Sequence, residues 1–378
     1  MRIKEIFFGP SLYVGIAIFT MIFGAGNIIF PISIGNFVGH NYWFGFFGIF
    51  LSSVLIPLAG LFACLHYHGN YENFLTSWIG RTPTIFATVV AMLILGPLGC
   101  IPRCATLAHA ALSWSILPGL SFFWFSLFFF AAVFVLSLQQ DRLIQIFGKI
   151  LGPINLLFMA ILIIKGYFWA TGSCLCGPDE LESFKVGFME SYKTFDLLAM
   201  IFYSSSIVAA VVAYLKSEPG LNEDLFGLCQ RGAIVAAGIF AIIYFCFCMI
   251  AAKNAHLIPV VGKEYLVSAY SAAILGDGFG VIAGLIILLA CFNSACALSV
   301  VFSRYLVKVA HLVGLSYVQA LACTTMFSFG FSKLGFTGID NAVSPIAQIV
   351  YPVLILISIF GAFQALWLRR NQKNLIIK

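Results

Sequence analysis

The chain has 378 residues, of which 62% are hydrophobic and only 9% charged, against roughly 25% charged in an average soluble domain. A water-soluble globule of this size could neither bury that much apolar surface nor stay dispersed with so few charges, so that class is excluded. A membrane protein remains, and the 40 phenylalanines suit an exterior that faces lipid.

A bilayer core takes about 20 mostly apolar residues per crossing helix. In chain order, ten such segments are expected: 11–36, 43–65, 84–113, 120–138, 146–169, 194–215, 231–252, 273–302, 315–332 and 343–367. The first is too long for the apolar part of a signal peptide and has no small-x-small cleavage site, so it is read as retained. The connections are short apart from 170–193, and the whole of 1–378 reads as one integral membrane domain.

Of the 20 Lys and Arg, 13 fall on the side of the N-terminus, among them Arg2, Arg81, Arg142, Arg231, Arg304 and Lys308, and six on the other. Arg103 lies within a segment. By the positive-inside rule both termini are cytoplasmic. The net charge of +6 follows from that bias and does not point to nucleic acid. Most of the eleven cysteines sit within segments, where a thiol packs as a small apolar group. Cys174 and Cys176 share the long outer loop, where a redox or disulfide role stays open and a metal role is not expected.

Segments one and six echo each other. TMIFGAGNII (Thr20–Ile29) and AMIFYSSSIV (Ala199–Val208) share Met-Ile-Phe, and each then runs into small or polar residues at mid-span: Gly24-Ala25-Gly26-Asn27 in one, Ser204-Ser205-Ser206 in the other. Glycine is a poor helix former and Pro31 weakens the next turn. A helix interrupted in the bilayer exposes backbone donors and acceptors that must find partners. Paired interruptions in two halves of opposite orientation point to a transporter's binding site. The bland alternative is tight helix packing through small residues. It leaves Asn27 unexplained, because a mid-membrane amide needs a partner.

FGAGNIIFP (Phe23–Pro31), GPLGCIPRCAT (Gly96–Thr106), YKTFDLLAMIFY (Tyr192–Tyr203), LACFNSACAL (Leu289–Leu298) and PIAQIVYPVLILI (Pro345–Ile357) resemble, in order, signatures of the bacterial branched-chain amino acid:cation symporter family. The resemblance implies an all-α, LeuT-like, five-plus-five inverted-repeat core of about ten transmembrane helices. Helices one and six would be broken, with repeats near 9–170 and 190–367. It also implies sodium-driven import of Leu, Ile and Val, with Met as a further candidate, across the bacterial cytoplasmic membrane. Family members commonly carry adjacent threonines where this chain has Asn293-Ser294, a Phe-Gly pair near Tyr203-Ser204, and about two further helices after the tenth.

An amino-acid carboxylate would suit the free amides of Ala25 and Gly26, with Gly24 making room. The ammonium would suit carbonyls between Phe202 and Ser205, and Phe202 and Tyr203 are candidates for an apolar wall. Ala290, Asn293 and Ser294 stand at i, i+3 and i+4, on one helical face. In related folds sodium sits between that face and the carbonyls before the break, here Thr20 and Phe23. Asn27 would hold ion, substrate or a backbone carbonyl.

Arg103, about 30 Å along segment three, is placed near the outer interface, as a gating residue or a snorkelling anchor. Asp196 opens segment six as a second gating candidate or a simple dipole partner. His66, His68 and His109 suggest no site. No cofactor is expected beyond the coupling ion. Sodium is preferred to a proton because the core shows no buried carboxylate, and a monomer is expected because there is no assembly module. An intramembrane enzyme would need a nucleophile and base or a metal motif, neither of which is present. A passive channel is the other rival, as is proton-coupled uptake of other neutral amino acids.

Overall fold

The computed structural model describes residues 9–24, 26–139, 142–169, 174–217, 224–258, 261–310 and 314–376, and the described residues form helices and turns without strands. In lipid a backbone can satisfy its own donors and acceptors only as a helix or a closed barrel, and these apolar runs take the first solution. The helices are α1 (Pro10–Ile22), α2 (Gly26–Val38), α3 (Tyr42–Phe50), α4 (Ile56–His66), α5 (Tyr71–Ile79), α6 (Arg81–Leu95), α7 (Cys100–Ser115), α8 (Phe122–Ser137) and α9 (Arg142–Trp169). The second part of the chain adds α10 (Glu180–Ser191), α11 (Asp196–Phe202), α12 (Ser204–Ser217), α13 (Leu225–Asn254), α14 (Lys263–Leu275), α15 (Asp277–Val309), α16 (Tyr317–Ser332) and α17 (Gly335–Ile376).

Among the described residues five helical stretches are long and apolar enough to cross a membrane alone, and a sixth is the pair α11–α12, bent by 55°. Three shorter apolar helices are Pro10–Ile22, Phe122–Ser137 and Leu156–Phe168. One of the five, Gly26–His66, is two crossings: 41 residues would make a rod of about 60 Å, and Gly39 turns the chain at φ 53. Taking α1–α2, α3–α4, α6–α7 and α11–α12 as interrupted crossings groups the helices into ten.

The crossings assort in two sets. α13 packs along α1, α2 and α3, and α11 packs on α4; α15 packs along α7, and α16 joins α8. α17 runs mainly against α4. Small residues permit the tightest approaches, as expected where lipid supplies no hydrophobic drive between helices. A Cβ on Gly35 of α2 would meet the carbonyl oxygen of Cys248 on α13, and Gly48 and Gly45 of α3 lie against Gly187 of α10.

Two helices outside the crossings are capped by side chains. Asn70 accepts from Asn73 N at 3.0 Å before α5, and Asp179 accepts from Glu182 N at 2.9 Å before α10. A third, α14, starts after Gly262 with no side-chain cap. These helices occupy stretches that hydropathy reads as plain loops. The segment ahead of α10 also docks on the turn after α2: His40 N donates to Leu175 O at 3.1 Å, and Asn41 Nδ2 to Pro178 O at 2.6 Å. Cys174 and Cys176 there are free thiols.

Gly35→Val should push α2 off α13 and lower the melting temperature of purified protein by an overpacking cost of about 1–3 kcal/mol. Gly330→Ala, whose Cβ meets nothing within 4 Å, should melt like the parent.

Candidate functional site

Two breaks face each other in the middle of the structure. α1 ends at Ile22, and Phe23 leaves the helix with φ −65° and ψ 114° before α2 restarts at Gly26. α11 ends at Phe202; Tyr203 takes φ −86° and ψ −2°, and α12 restarts at Ser204. Phe195, just before α11, is one of two non-glycine residues described with positive φ (61°). That is a costly conformation for an aromatic residue, of the kind found at functional sites. It turns the chain so that the next residue, Asp196, points inward.

Asn27 ties the breaks together. Its Oδ1 accepts from Gly24 N at 2.7 Å, closing the end left open by the broken helix. Its Nδ2 donates to Asp196 Oδ1 at 2.7 Å and to the Tyr244 hydroxyl at 2.5 Å. Tyr244 of α13 in turn donates to Asp196 Oδ2 at 2.8 Å, and the Thr194 hydroxyl lies 2.9 Å from the same oxygen. Asn27, Asp196 and Tyr244 are all buried. Such a group is expensive inside a membrane unless each polar atom finds a partner, and here both polar atoms of the Asn27 side chain have one. Asp196 therefore supplies the buried carboxylate that the core was expected to lack, bonded to Asn27 beside the break of the first crossing.

Beside this cluster lies a cavity of about 380 Å³, within the usual range for small-molecule sites. Gly24, Gly26, Asn27, Tyr203 and Ser206 line it from the two breaks, Thr194 from the turn before α11, Asn293, Ser294 and Ala297 from α15, and Leu95, Cys100 and Leu107 from α6 and α7. At one end it reaches Arg304, and at the other Arg103 and Lys193. A second cavity of about 30 Å³ adjoins it, walled by Thr20, Phe23, Gly24, Ala290, Asn293 and Ser294. It has room for one water-sized occupant. The Ser294 hydroxyl would stand 3.8 Å from a Cβ on Gly24, so α15 meets the break of the first crossing here.

The Arg103 end is closed by charge. Arg103 Nη2 pairs with Asp340 Oδ1 at 2.5 Å, and its Nη1 donates to Lys193 O at 2.8 Å. Lys193 Nζ bridges Asp340 Oδ2 at 2.9 Å and Glu190 Oε1 at 2.7 Å, and Lys263 Nζ reaches Glu190 Oε2 at 2.6 Å. The rings of Phe30, Phe195 and Phe336 surround the guanidinium at 5.9, 4.8 and 5.8 Å, within cation–π range. Burial alone would raise the Glu190 carboxyl, but the ammoniums of Lys193 and Lys263 hold it below the usual carboxylate range.

The sequence-derived site residues sort by position. Gly24, Gly26, Asn27 and Tyr203 line the large cavity; Thr20, Phe23, Ala290, Asn293 and Ser294 line the small one. Ala25 lies outside the described residues. Phe202 points away, against the Tyr71 ring at 4.8 Å. Ser204 is buried and donates to Gly69 O at 2.9 Å and Ile201 O at 2.6 Å; Ser205 is exposed and does not border the cavity. Arg103 is not a snorkelling anchor: it is 5% exposed and paired inside the protein. Tyr244, Thr194, Glu190, Lys193 and Asp340 did not stand out in the sequence. A further interruption, at Gly96–Gly99 between α6 and α7, was signalled only by Gly96-Pro97-Leu98-Gly99.

Among solved structures, Mhp1, a nucleobase-cation-symport-1 family transporter in a closed conformation with bromovinylhydantoin bound, aligns with a TM-score of 0.57 at 14% identity. The alignment covers 93% of this chain and 77% of that one. The fold is that of the LeuT-like class of multi-pass membrane transporters. Within that class, the chain belongs to the family described as branched-chain amino acid transport protein, which it matches over residues 10–377. It is 28% identical over 369 residues to the branched-chain amino acid permease BraB of Bacillus subtilis (strain 168), covering 96% of this chain and 82% of that protein. It is 27% identical over 363 residues to the permease BrnQ of the same organism, covering 93% and 80%.

Tyr244→Phe keeps the ring and removes two hydrogen bonds from the Asn27–Asp196 cluster. A loss of about 1–3 kcal/mol is expected, seen as a lower melting temperature of the purified protein; an unchanged melting point would show that the cluster does not hold the breaks together.

Proposed function

We propose that this chain imports leucine, isoleucine and valine, and accepts methionine, by symport with sodium through alternating access. The observation that carries the reading is the pair of adjoining cavities at the facing breaks. One suits an amino acid and the other a single ion, and Gly24, Asn293 and Ser294 belong to both walls. Occupying one cavity then reshapes the other, which is what coupling requires.

The amino acid's carboxylate goes to the N-terminal end of α2 at Gly26, where the helix dipole is positive. Its ammonium goes to the break at Tyr203. Leu95, Leu107 and Ala297 offer the aliphatic wall. One methylene more or less in such a wall changes binding by only about 1–3 kcal/mol, so several aliphatic amino acids are accepted. Sodium, a hard cation, takes oxygen ligands, here from Ser294, Asn293 and the backbone at Thr20, Phe23 and Ala290.

The chain is assigned to the bacterial cytoplasmic membrane with both termini inside. The Arg304 end of the large cavity then faces the cytoplasm, and the Arg103 end is the closed outer roof. A single chain walls the whole pathway, so a monomer suffices. One charge crossing 100 mV provides about 2.3 kcal/mol, and a tenfold sodium gradient adds about 1.4, enough for accumulation of a few hundredfold.

Asp196 supports a second reading, in which a proton is the coupling ion. Its carboxylate is buried and faces the neutral donors Asn27, Tyr244 and Thr194, so taking up a proton would remove a buried charge.

Leucine uptake into proteoliposomes under an inward sodium gradient, against an equal potassium one, separates the two. Saturable, sodium-dependent accumulation is expected. Accumulation that follows a proton gradient and disappears in Asp196→Asn would favour the second reading. Under the first, Ser294→Ala should raise the half-saturating sodium concentration about tenfold, the worth of one lost ligand to a charge.

Gly26→Ala should be tolerated, since its Cβ would make ordinary contacts at 3.6–3.8 Å. Gly26→Leu should fill the cavity and abolish uptake with insertion intact. Near-normal transport by the leucine variant would remove the helix break from the site.

A further inference from the structure

The outer roof has an asymmetry that a simple closure does not need. Arg103 and Lys193, both cationic, line the substrate cavity, whereas Asp340, the carboxylate they share, does not. Asp340 divides its oxygens between them, Oδ1 to Arg103 Nη2 and Oδ2 to Lys193 Nζ. A free carboxylate held between a guanidinium and an ammonium would bond in the same way. Arg103 is 5% exposed and keeps one donor, Nε, buried without a hydrogen-bond partner. A buried donor left unmade is costly, and this one belongs to a side chain of the cavity wall. Lys193 stays anchored by Glu190, which Lys263 holds in turn. The cationic pair is thus fixed in place whether or not Asp340 is present.

From this we infer that Arg103 and Lys193 form a carboxylate-binding subsite in the roof of the cavity, distinct from the helix break, and that Asp340 is its internal occupant. When α17 draws Asp340 away, the carboxylate of an incoming amino acid takes its place on the two cations. The roof therefore opens toward molecules that bring a carboxylate and stays paired against those that do not. The aromatic box of Phe30, Phe195 and Phe336 keeps the guanidinium in place during the exchange. The subsite rests on the reading of the substrate as an α-amino acid, and adds that its carboxylate is recognised before it reaches the break.

The test compares leucine with leucinamide, which keeps the ammonium and side chain and lacks the carboxylate. Binding of both to purified full-length protein in nanodiscs is measured for the parent, Asp340→Asn and the double variant Arg103→Gln/Asp340→Asn. With the occupant's charge removed, Asp340→Asn should bind leucine more tightly relative to leucinamide, the ratio rising about tenfold. The double variant should lose that gain. If Asp340 is only a latch, removing it eases entry of both ligands alike. An unchanged ratio in Asp340→Asn would then overturn the subsite while the parent's preference for leucine kept the substrate reading intact. A parent that binds leucinamide as well as leucine overturns both. Should Asp340→Asn not fold, Asp340→Ser, which leaves space for water at the guanidinium, is measured against the same ratio.

Discussion

The structure depends on how one side-chain amide is bonded. A helix cut in the middle of a bilayer must satisfy its freed backbone groups, since each one left bare costs several kcal/mol. Asn27 meets that demand in two directions. Toward its own crossing, it accepts from Gly24 N and closes the open turn. Toward the other crossings, it donates to Asp196 at the start of α11 and to Tyr244 on α13. The same amide that makes the first break tolerable also fixes its distance from the second. Both cavities lie where that distance leaves space.

Around this centre the packing is built from small residues. α2 approaches α13 at Gly35, and α3 approaches α10 at the glycine contacts, so closely that a Cβ would collide with backbone. The first crossing meets α15 across the cavities less closely: the Ser294 hydroxyl stays 3.8 Å from a Cβ position on Gly24. Close contact within one set of crossings, and looser contact between sets, is the arrangement that lets two bodies rock without each coming apart.

The broad architecture was legible in the sequence because hydropathy and length are direct consequences of the bilayer. The first break was legible for a similar reason: Gly-Ala-Gly-Asn inside an apolar run disrupts a helix and puts an amide where lipid offers it no partner. The second was displaced by one residue. A run of serines looks like an interruption, yet Ser204 begins a helix and bonds to Gly69, while the turn falls on Tyr203. α10 announced itself by Asp179 ahead of Glu182, a capping pattern that hydropathy passes over. The remaining site residues left no local trace. Tyr244 lies in an ordinary aromatic run and meets Asp196 across 48 positions. Asp340 falls before the expected start of segment ten and meets Arg103 across 237. Contacts between such distant positions follow from the fold and have no periodicity to betray them.

The glycine contact between α3 and α10 has a mechanical consequence. Backbone lies directly on backbone there, and Ser53 adds a hydrogen bond to Ser191 O at 2.9 Å, so α10 travels with the second crossing as a strap. Glu190 and Lys193 stand at the end of that strap, whereas their partners Lys263 and Asp340 lie in the opening turns of α14 and α17. Parting the roof is therefore geared to movement of the second crossing, and through α4 to α11 and the break beyond it. Prying the strap loose would break that gearing. Under the alternating access proposed above, the two mouths of the pathway would then be free to open together, and carriage would give way to a leak.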